Sequence, residues 1–521
     1  LFMAGYGDMQ YGNYSKAVTY FEQIEQLGLA NANTDFNQGL CYLNIPGDKS
    51  RAVPYLEKAA LNISEKYKEG SYREIGAPSE AVFYLAKAYR INMQLSKAIE
   101  YYAKYKEYLL PDDVFYHDFV DLQIQTCKNA QEMILTPVPI KKTNLGAVIN
   151  NGDDNFNPVI TPDGQTLIYT TLQRIFDRVN QQETYYEIIK YTTKEGDGWS
   201  EPLDITAKIN SDGFLASVGI SSDGGKMYFF RDDYGDGNLY QAEKKGYRFT
   251  SIEALDKNIN SRDWESHIWP DPNKDAYYFV SNRAGGQGGR DIYYIDKDAK
   301  GKWNAPKNLG NTINTPYDED CPVISSDGNT LYFCSEAHSS MGGFDIFYST
   351  KDESGNWSTP LNMGYPINST DDDIFFMPYD NGKFALMALR DNDSYGGQDI
   401  FRIQLKFDDG EVVPAVEIPI AEKTNVESDA IVDNTTDQVV NTQQETTIDE
   451  SEVLNDADVT QEITSNDNVQ EDVVLIDVAP KYDRFDIRGL VLLQDSNEIT
   501  RAFKVEVRNA ATRSLSGSAF L

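Results

Sequence analysis

Gly288-Gly289-Arg290-Asp291-Ile292-Tyr293, Gly342-Gly343-Phe344-Asp345-Ile346-Phe347 and Gly396-Gly397-Gln398-Asp399-Ile400-Phe401 are copies of one pattern, Gly-Gly-x-Asp-Ile-aromatic, 54 residues apart. Gly237-Asn238-Leu239-Tyr240 is a weaker copy. The glycines permit positive φ, and the Asp side chain can bond turn amides. A turn stands ahead of each copy, and one more precedes them all: Pro162-Asp163-Gly164, Ser222-Asp223-Gly224, Pro272-Asn273-Lys274, Ser326-Asp327-Gly328 and Asp380-Asn381-Gly382, advancing by 60, 50, 54 and 54 residues. Aromatic runs such as Tyr277-Tyr278-Phe279 and Leu331-Tyr332-Phe333 follow the turns, so each reads as a β-hairpin.

A further element is an aromatic, then Pro, then Ile-Asn, as in Trp303…Pro306…Ile313-Asn314 and Trp357…Pro360…Ile367-Asn368. Ile209-Asn210 and Ile259-Asn260 repeat its end. One copy, Leu145…Ile149-Asn150, precedes the first hairpin, and none follows Phe401. A closed ring accounts for that offset. The sequence therefore predicts a five-bladed all-β propeller over 142–407, closed by the 144–150 strand beside Ile400, with Leu145, Ile149 and Ile400 at the seam. Closure removes the free strand edges that invite aggregation.

Residues 1–135 carry a different period. Ala17, Ala52 and Ala98 each sit three residues before an aromatic or aliphatic pair (Tyr20-Phe21, Tyr55-Leu56, Tyr101-Tyr102). Small residues let helices approach while the larger ones fill the groove, so an all-α helical-repeat solenoid is predicted. Pro111-Asp112-Asp113 opens a further helix to about Ile134, read as a solenoid cap. Cys41 and Cys127 fall on helical stretches as small core residues. The repeats resemble tetratricopeptide repeats, which implies a concave face for peptides or protein partners.

The full chain of 521 residues holds 82 acidic and 47 basic side chains, a formal net charge of -35, which argues against nucleic acid. Twenty of those acids, against the single basic Lys423, fall in 408–480. With almost no aromatics, this stretch reads as an acidic linker. Its scattered apolar residues, around Val412, Val439, Ile448 and Val473, are candidate partner-binding anchors. Residues 481–521 alternate in two strand-like runs and read as the start of a β-sandwich. There is no apolar run long enough for a membrane helix. The chain reads as a piece of a longer precursor.

Candidate chemistry is sparse. Three histidines (His117, His267, His338) lie in different repeats, which argues against a catalytic dyad, and four cysteines suit neither a zinc enzyme nor a disulfide scaffold. No nucleophile elbow, phosphate loop or zinc-protease motif occurs. The sequence therefore points to no catalytic, cofactor or metal residue. Blade entries carry Asp153-Asp154, Asp212, Asp263, Glu265, Asp318-Glu319-Asp320 and Asp371-Asp372-Asp373, which suit either repeated architecture or a cation or sugar cleft. Asp291, Asp345, Asp399, Gly289, Gly343 and Gly397 are structural. Cys321 and Cys334 flank the Asp327-Gly328 turn symmetrically, which predicts cross-strand neighbours able to form a disulfide.

The order of helical repeats, propeller and β-sandwich start resembles the periplasmic OmpA-family proteins of Bacteroidetes, the PorE-like proteins of type IX secretion and gliding. That resemblance implies a non-enzymatic scaffold at the outer membrane. Its partners would be a PorP/SprF-like β-barrel protein, and peptidoglycan through an OmpA-like domain outside this chain. A glycan-binding or glycoside-hydrolysing propeller is the alternative.

Overall fold

The computed structural model describes residues 1–177, 182–206, 214–232, 235, 237–246 and 248–408, and the backbone of three strands near the end. The chain divides into two units, Leu1–Lys423 and Thr424–Leu521. Acidic-linker positions Val412, Val439, Ile448 and Val473 lie outside the described residues, as do Ile209-Asn210 and Asp212.

Among the described residues, the first unit opens with seven helices: α1 (Phe2–Gln10), α2 (Tyr14–Gln26), α3 (Ala32–Leu43), α4 (Ala52–Ala60), α5 (Glu80–Ile91), α6 (Leu95–Tyr105) and α7 (Val114–Leu135). The first six pack as hairpins α1–α2, α3–α4 and α5–α6. Ala17, Ala52 and Ala98 are fully buried, and so are Phe21, Leu56 and Tyr102 one helical turn later. The small residue admits the neighbouring helix and the large one fills the groove, as the spacing predicts. Asn31 caps α3 in a capping box with Thr34.

The described strands that follow form five sheets. β1 (Lys141–Asn144) comes first. Blade 1 holds β2 (Asp154–Ile160), β3 (Thr166–Asp177), β4 (Gln182–Glu195), β5 (Gly198–Trp199) and β6 (Leu203–Asp204). Blade 2 holds β7 (Phe214–Ile220), β8 (Lys226–Asp232), β9 (Asn238–Lys245) and β10 (Arg248–Ala254). Blade 3 holds β11 (Ile268–Pro270), β12 (Ala276–Ser281), β13 (Asp291–Asp296) and β14 (Lys307–Asn308). Blade 4 holds β15 (Glu319–Ile324), β16 (Thr330–Ser335), β17 (Asp345–Thr350) and β18 (Leu361–Asn362). Blade 5 holds β19 (Met377–Tyr379), β20 (Phe384–Leu389) and β21 (Asp399–Gln404), and β1 completes it.

Closure runs antiparallel, with Lys141 opposite Gln404 and Asn144 opposite Phe401. The paired strand is thus Lys141–Asn144, not 144–150. Residues Leu145–Asn150 turn inward instead, and the Asn150 side chain takes over the pairing. It accepts from Ile400 N (2.8 Å) and donates to Ile400 O (3.0 Å). Asn260, Asn314 and Asn368 make the same pair of bonds to Leu239, Ile292 and Ile346. The repeated Asn is therefore a side-chain extension of the ladder, which satisfies backbone groups where the fourth strand ends. Apolar residues from all five blades share a core that includes Ile149, Phe229, Tyr278, Phe333, Phe347 and Ile400.

The second unit contains β22 (Phe485–Arg488), β23 (Lys504–Asn509) and β24 (Leu515–Phe520) in an antiparallel sheet of order β22-β23-β24.

Candidate functional site

The repeated residues join one blade to the next. Asp291 accepts from the amides of Gln287 (2.5 Å) and Gly288 (3.2 Å) and from Asn308 Nδ2 (2.9 Å). Asp345 does the same with Met341, Gly342 and Asn362, and Asp399 with Tyr395 and Asn144. The glycines beside them answer a packing demand. A Cβ on Gly289, Gly343 or Gly397 would stand 2.1, 1.8 or 2.5 Å from an oxygen of Asp318, Asp372 or Asp154, the entry acid of the next blade. Those acids accept from the amides of Arg290, Phe344 and Gln398. The expectation of positive φ is corrected: of the six motif glycines only Gly396 has it, and the other five are needed for space.

The deeper entry acids are also occupied. Glu265 accepts from Ser261, Ser281 and Arg283, Glu319 from Thr315 and Ser335, and Asp373 from Ser369. Burial pushes Glu319 and, with help from Asp318, Glu336 up to about 8; burial pushes Asp345 up to about 7. A carboxyl raised in the fold contributes stability below its unfolded value, and that stability is lost as pH rises through the folded value. Lowering pH from 8.5 to 6 should therefore raise the melting temperature by about 5 °C or more, since each tenfold gain in proton affinity on folding is worth about 1.4 kcal/mol. Thermal unfolding followed by circular dichroism checks this; a flat profile would show these carboxylates stay ionised.

Chemistry concentrates where the repeat breaks. The channel position of each inner strand follows the spacing of the turns: Asn157, Ser217, His267, Cys321 and Phe375. All five line a narrow cavity along the axis. A larger one of about 400 Å³ opens beside it, walled by Phe230, Trp264, Phe344 and Phe375, with His267, Arg290, Asp320 and Cys321 on its polar side. There Cys321 Sγ lies 3.6 Å from His267 Nε2, and His267 Nδ1 lies 2.6 Å from Asp320 Oδ1. Asp320 is held by Ser266 Oγ (2.9 Å), by its ion pair with Arg290, and by the Cys321 amide (2.8 Å). With both carboxylate oxygens taken, and the partly buried Arg290 guanidinium against one of them, the trio is poorly suited to a cation.

Two sequence expectations change here. A β-bulge between Asp320 and Val323 moves the register, so Asp320, not Cys321, faces Cys334. Cys321 sits in that bulge at φ 52° and both cysteines are free thiols. The histidines are also less isolated than their spacing suggests. His267 and Cys321 are one repeat apart, so the ring makes them neighbours, and aligning the blades is the signal that finds them. His117 and His338 contact only backbone carbonyls, of Leu110 and Ile313, among the hydrogen bonds of their rings.

The helices pack on the same side as the entry loops. Arg90 of α5, 2% exposed, donates to the Gly342 carbonyl and to Gln123 Oε1 (3.2 Å). Lys49 pairs with Asp371 at 2.6 Å, Asn129 of α7 donates to Ser340 O at 2.9 Å, and Phe119 packs on Tyr317. Helix α7 thus faces the propeller as well as α6, where a solenoid cap would present a polar face to water.

No protein-family model matches the chain, and no curated protein matches it. Among solved structures, TolB from Acinetobacter baumannii is 18% identical with a TM-score of 0.30, over 48% of this chain and 54% of its own. This chain thus spans about half the length of that protein. A TolB assignment from Agrobacterium tumefaciens is 14% identical with a TM-score of 0.25, over 45% and 92%. A gluconolactonase from Xanthomonas campestris is 10% identical with a TM-score of 0.29, over 51% and 90%. The architecture described above rests on strand pairing, not on these distant likenesses.

Proposed function

We propose that this chain is a non-enzymatic periplasmic scaffold that ties an outer-membrane β-barrel or secretion complex, of the type IX kind, to peptidoglycan. The peptidoglycan contact would belong to an OmpA-like domain outside this chain. The observation that carries the reading is the joining of helical hairpins and propeller through polar contacts, the buried Arg90 to Gly342 and the partly buried Lys49 to Asp371. Such a joint suits a protein that holds partners at fixed geometry. The repeated carboxylates support it too, because they are spent on loop amides and hydroxyls. The helical repeats, if tetratricopeptide-like, offer the partner surface. Affinity capture with the full-length protein from envelope extracts should recover an outer-membrane β-barrel of the PorP/SprF kind; recovery of the bait alone would refute the scaffold role.

The alternative, a glycan-binding or glycoside-hydrolysing propeller, is favoured by one feature, the cavity of about 400 Å³ with an asymmetric polar side. Release of reducing ends from a polysaccharide, lost in Asp320→Asn, would support it.

A further inference from the structure

The cluster at the channel mouth has a use that neither scaffolding nor blade architecture accounts for. Cys321 is partly exposed, while Cys41, Cys127 and Cys334 are buried. Its sulfur faces the His267 imidazole from the neighbouring blade, and that ring is held against Asp320 on its other nitrogen. This is the order of groups that stabilises a thiolate: sulfur, imidazolium, carboxylate. Cys334, from β16, is buried in the apolar cluster against which Cys321 packs. The left-handed backbone at Cys321 (φ 52°) recurs at the equivalent channel positions Asn157 (φ 47°) and Phe375 (φ 62°), so the conformation belongs to the repeat and what sets Cys321 apart is its side chain.

We propose that Cys321 is an activated thiol that reacts with low-molecular-weight disulfides carrying an apolar or aromatic group, and that Cys334 resolves the mixed disulfide. The aromatic walls of the cavity supply the preference for such a group.

The Cys321 thiolate attacks one sulfur of R–S–S–R; that bond breaks, a Cys321–S–S–R bond forms, and the departing RS⁻ takes the proton of the His267 imidazolium. Cys334 sulfur then attacks Cys321 Sγ and expels the second RS⁻, which leaves with the Cys334 proton. Two cysteines are oxidised to one disulfide, and one R–S–S–R is reduced to two R–SH.

The electrostatics agree with the geometry. Burial by itself would raise the Cys321 thiol, but the Cys334 hydrogen bond and the His267 charge outweigh it and hold it below the ordinary thiol range. Burial would lower His267, yet Cys321 and Asp320 lift it, to about 10. Burial and the Cys321 charge push Cys334 up, which suits a resolving thiol that stays protonated until called on. The other charged groups nearby are Arg290, paired to Asp318 and Asp320, Glu336 close to Arg290, and Asp372 on the cavity wall.

The test is the reaction of the native full-length chain with dithiobis(nitrobenzoate), an aromatic disulfide, read by released thionitrobenzoate and by peptide mass mapping. An ordinary thiol speeds up roughly 50-fold between pH 6.5 and 8.5 as its thiolate fraction grows. Here the initial rate should change less than about twofold over that range. Two equivalents should be released, leaving a Cys321–Cys334 disulfide. In Cys334→Ser, release should stop at one equivalent with the adduct on Cys321. In His267→Gln, the steep pH rise should return. A steep profile in the unaltered chain, or first labelling at Cys41, Cys127 or Cys334, would overturn the proposal, and neither observation depends on a variant folding.

Discussion

Gly288→Ala is expected to abolish the folded propeller or lower its melting temperature by about 5 °C or more. A Cβ at this position would stand 2.3 Å from Thr315 O, 2.5 Å from Tyr317 O and 2.6 Å from the Pro316 carbonyl carbon. All three are backbone atoms of the loop entering blade 4, so no side-chain rotation relieves the clash. Either blade 4 moves outward or the Gly-Gly turn unravels. Movement of blade 4 would break the hydrogen bond from the Arg290 amide to Asp318 (2.7 Å) and loosen the shared core. Overpacking alone costs typically about 1–3 kcal/mol, and loss of the amide partner adds to it. Gly152→Ala is the control: nothing lies within 4 Å of its Cβ, so it should change stability by less than about 0.5 kcal/mol. Calorimetry on both proteins checks the pair. Equal stability would mean that the blade junction is softer than its geometry indicates.

Arg90→Met should have the second largest effect, and of a different kind. Arg90 is the buried cation where α5 meets the propeller, and the nearby Asp372 and Asp371 stabilise its charge. Leaving a buried acceptor without its donor costs about 1–3 kcal/mol. Here the Gly342 carbonyl loses its donor and Asp372 loses a countercharge. The predicted outcome is two calorimetric transitions in place of one, as helices and propeller melt separately. Faster proteolysis after Leu135 should accompany it. Lys16→Ala, removing an exposed pair with Asp8, should leave the trace unchanged. A single unshifted transition in Arg90→Met would show that Lys49, Asn129 and Phe119 suffice to hold the two parts together.

Much of the architecture is legible in the sequence because repetition amplifies weak signals. One turn means little, but five at intervals of 50 to 60 residues, three of them Asp-Gly, give blade number, and the displaced Leu145–Asn150 copy gives closure. Local geometry is less legible. The motif glycines suggest positive φ because that is glycine's usual use, whereas their role depends on acids that approach from the next blade. The symmetric placement of Cys321 and Cys334 predicts the wrong register, since the bulge at Cys321 inserts a residue that no local pattern announces. The pairing of His267 with Cys321 is hidden by 54 residues of sequence, and only the ring brings them together. The packing of α7 against the propeller is invisible too, because a helix side meant for another domain reads like a cap.

The latch of the ring also sets an order of events during synthesis. Asn144 leaves the ribosome early, but its partner Phe401 emerges only after four complete blades. Until then blade 5 does not exist and β1 has nothing to pair with, so the nascent chain displays unpaired strand edges on both sides of the gap. Ribosome-bound chains halted before Gln404 should accordingly attract chaperones that chains released after it escape.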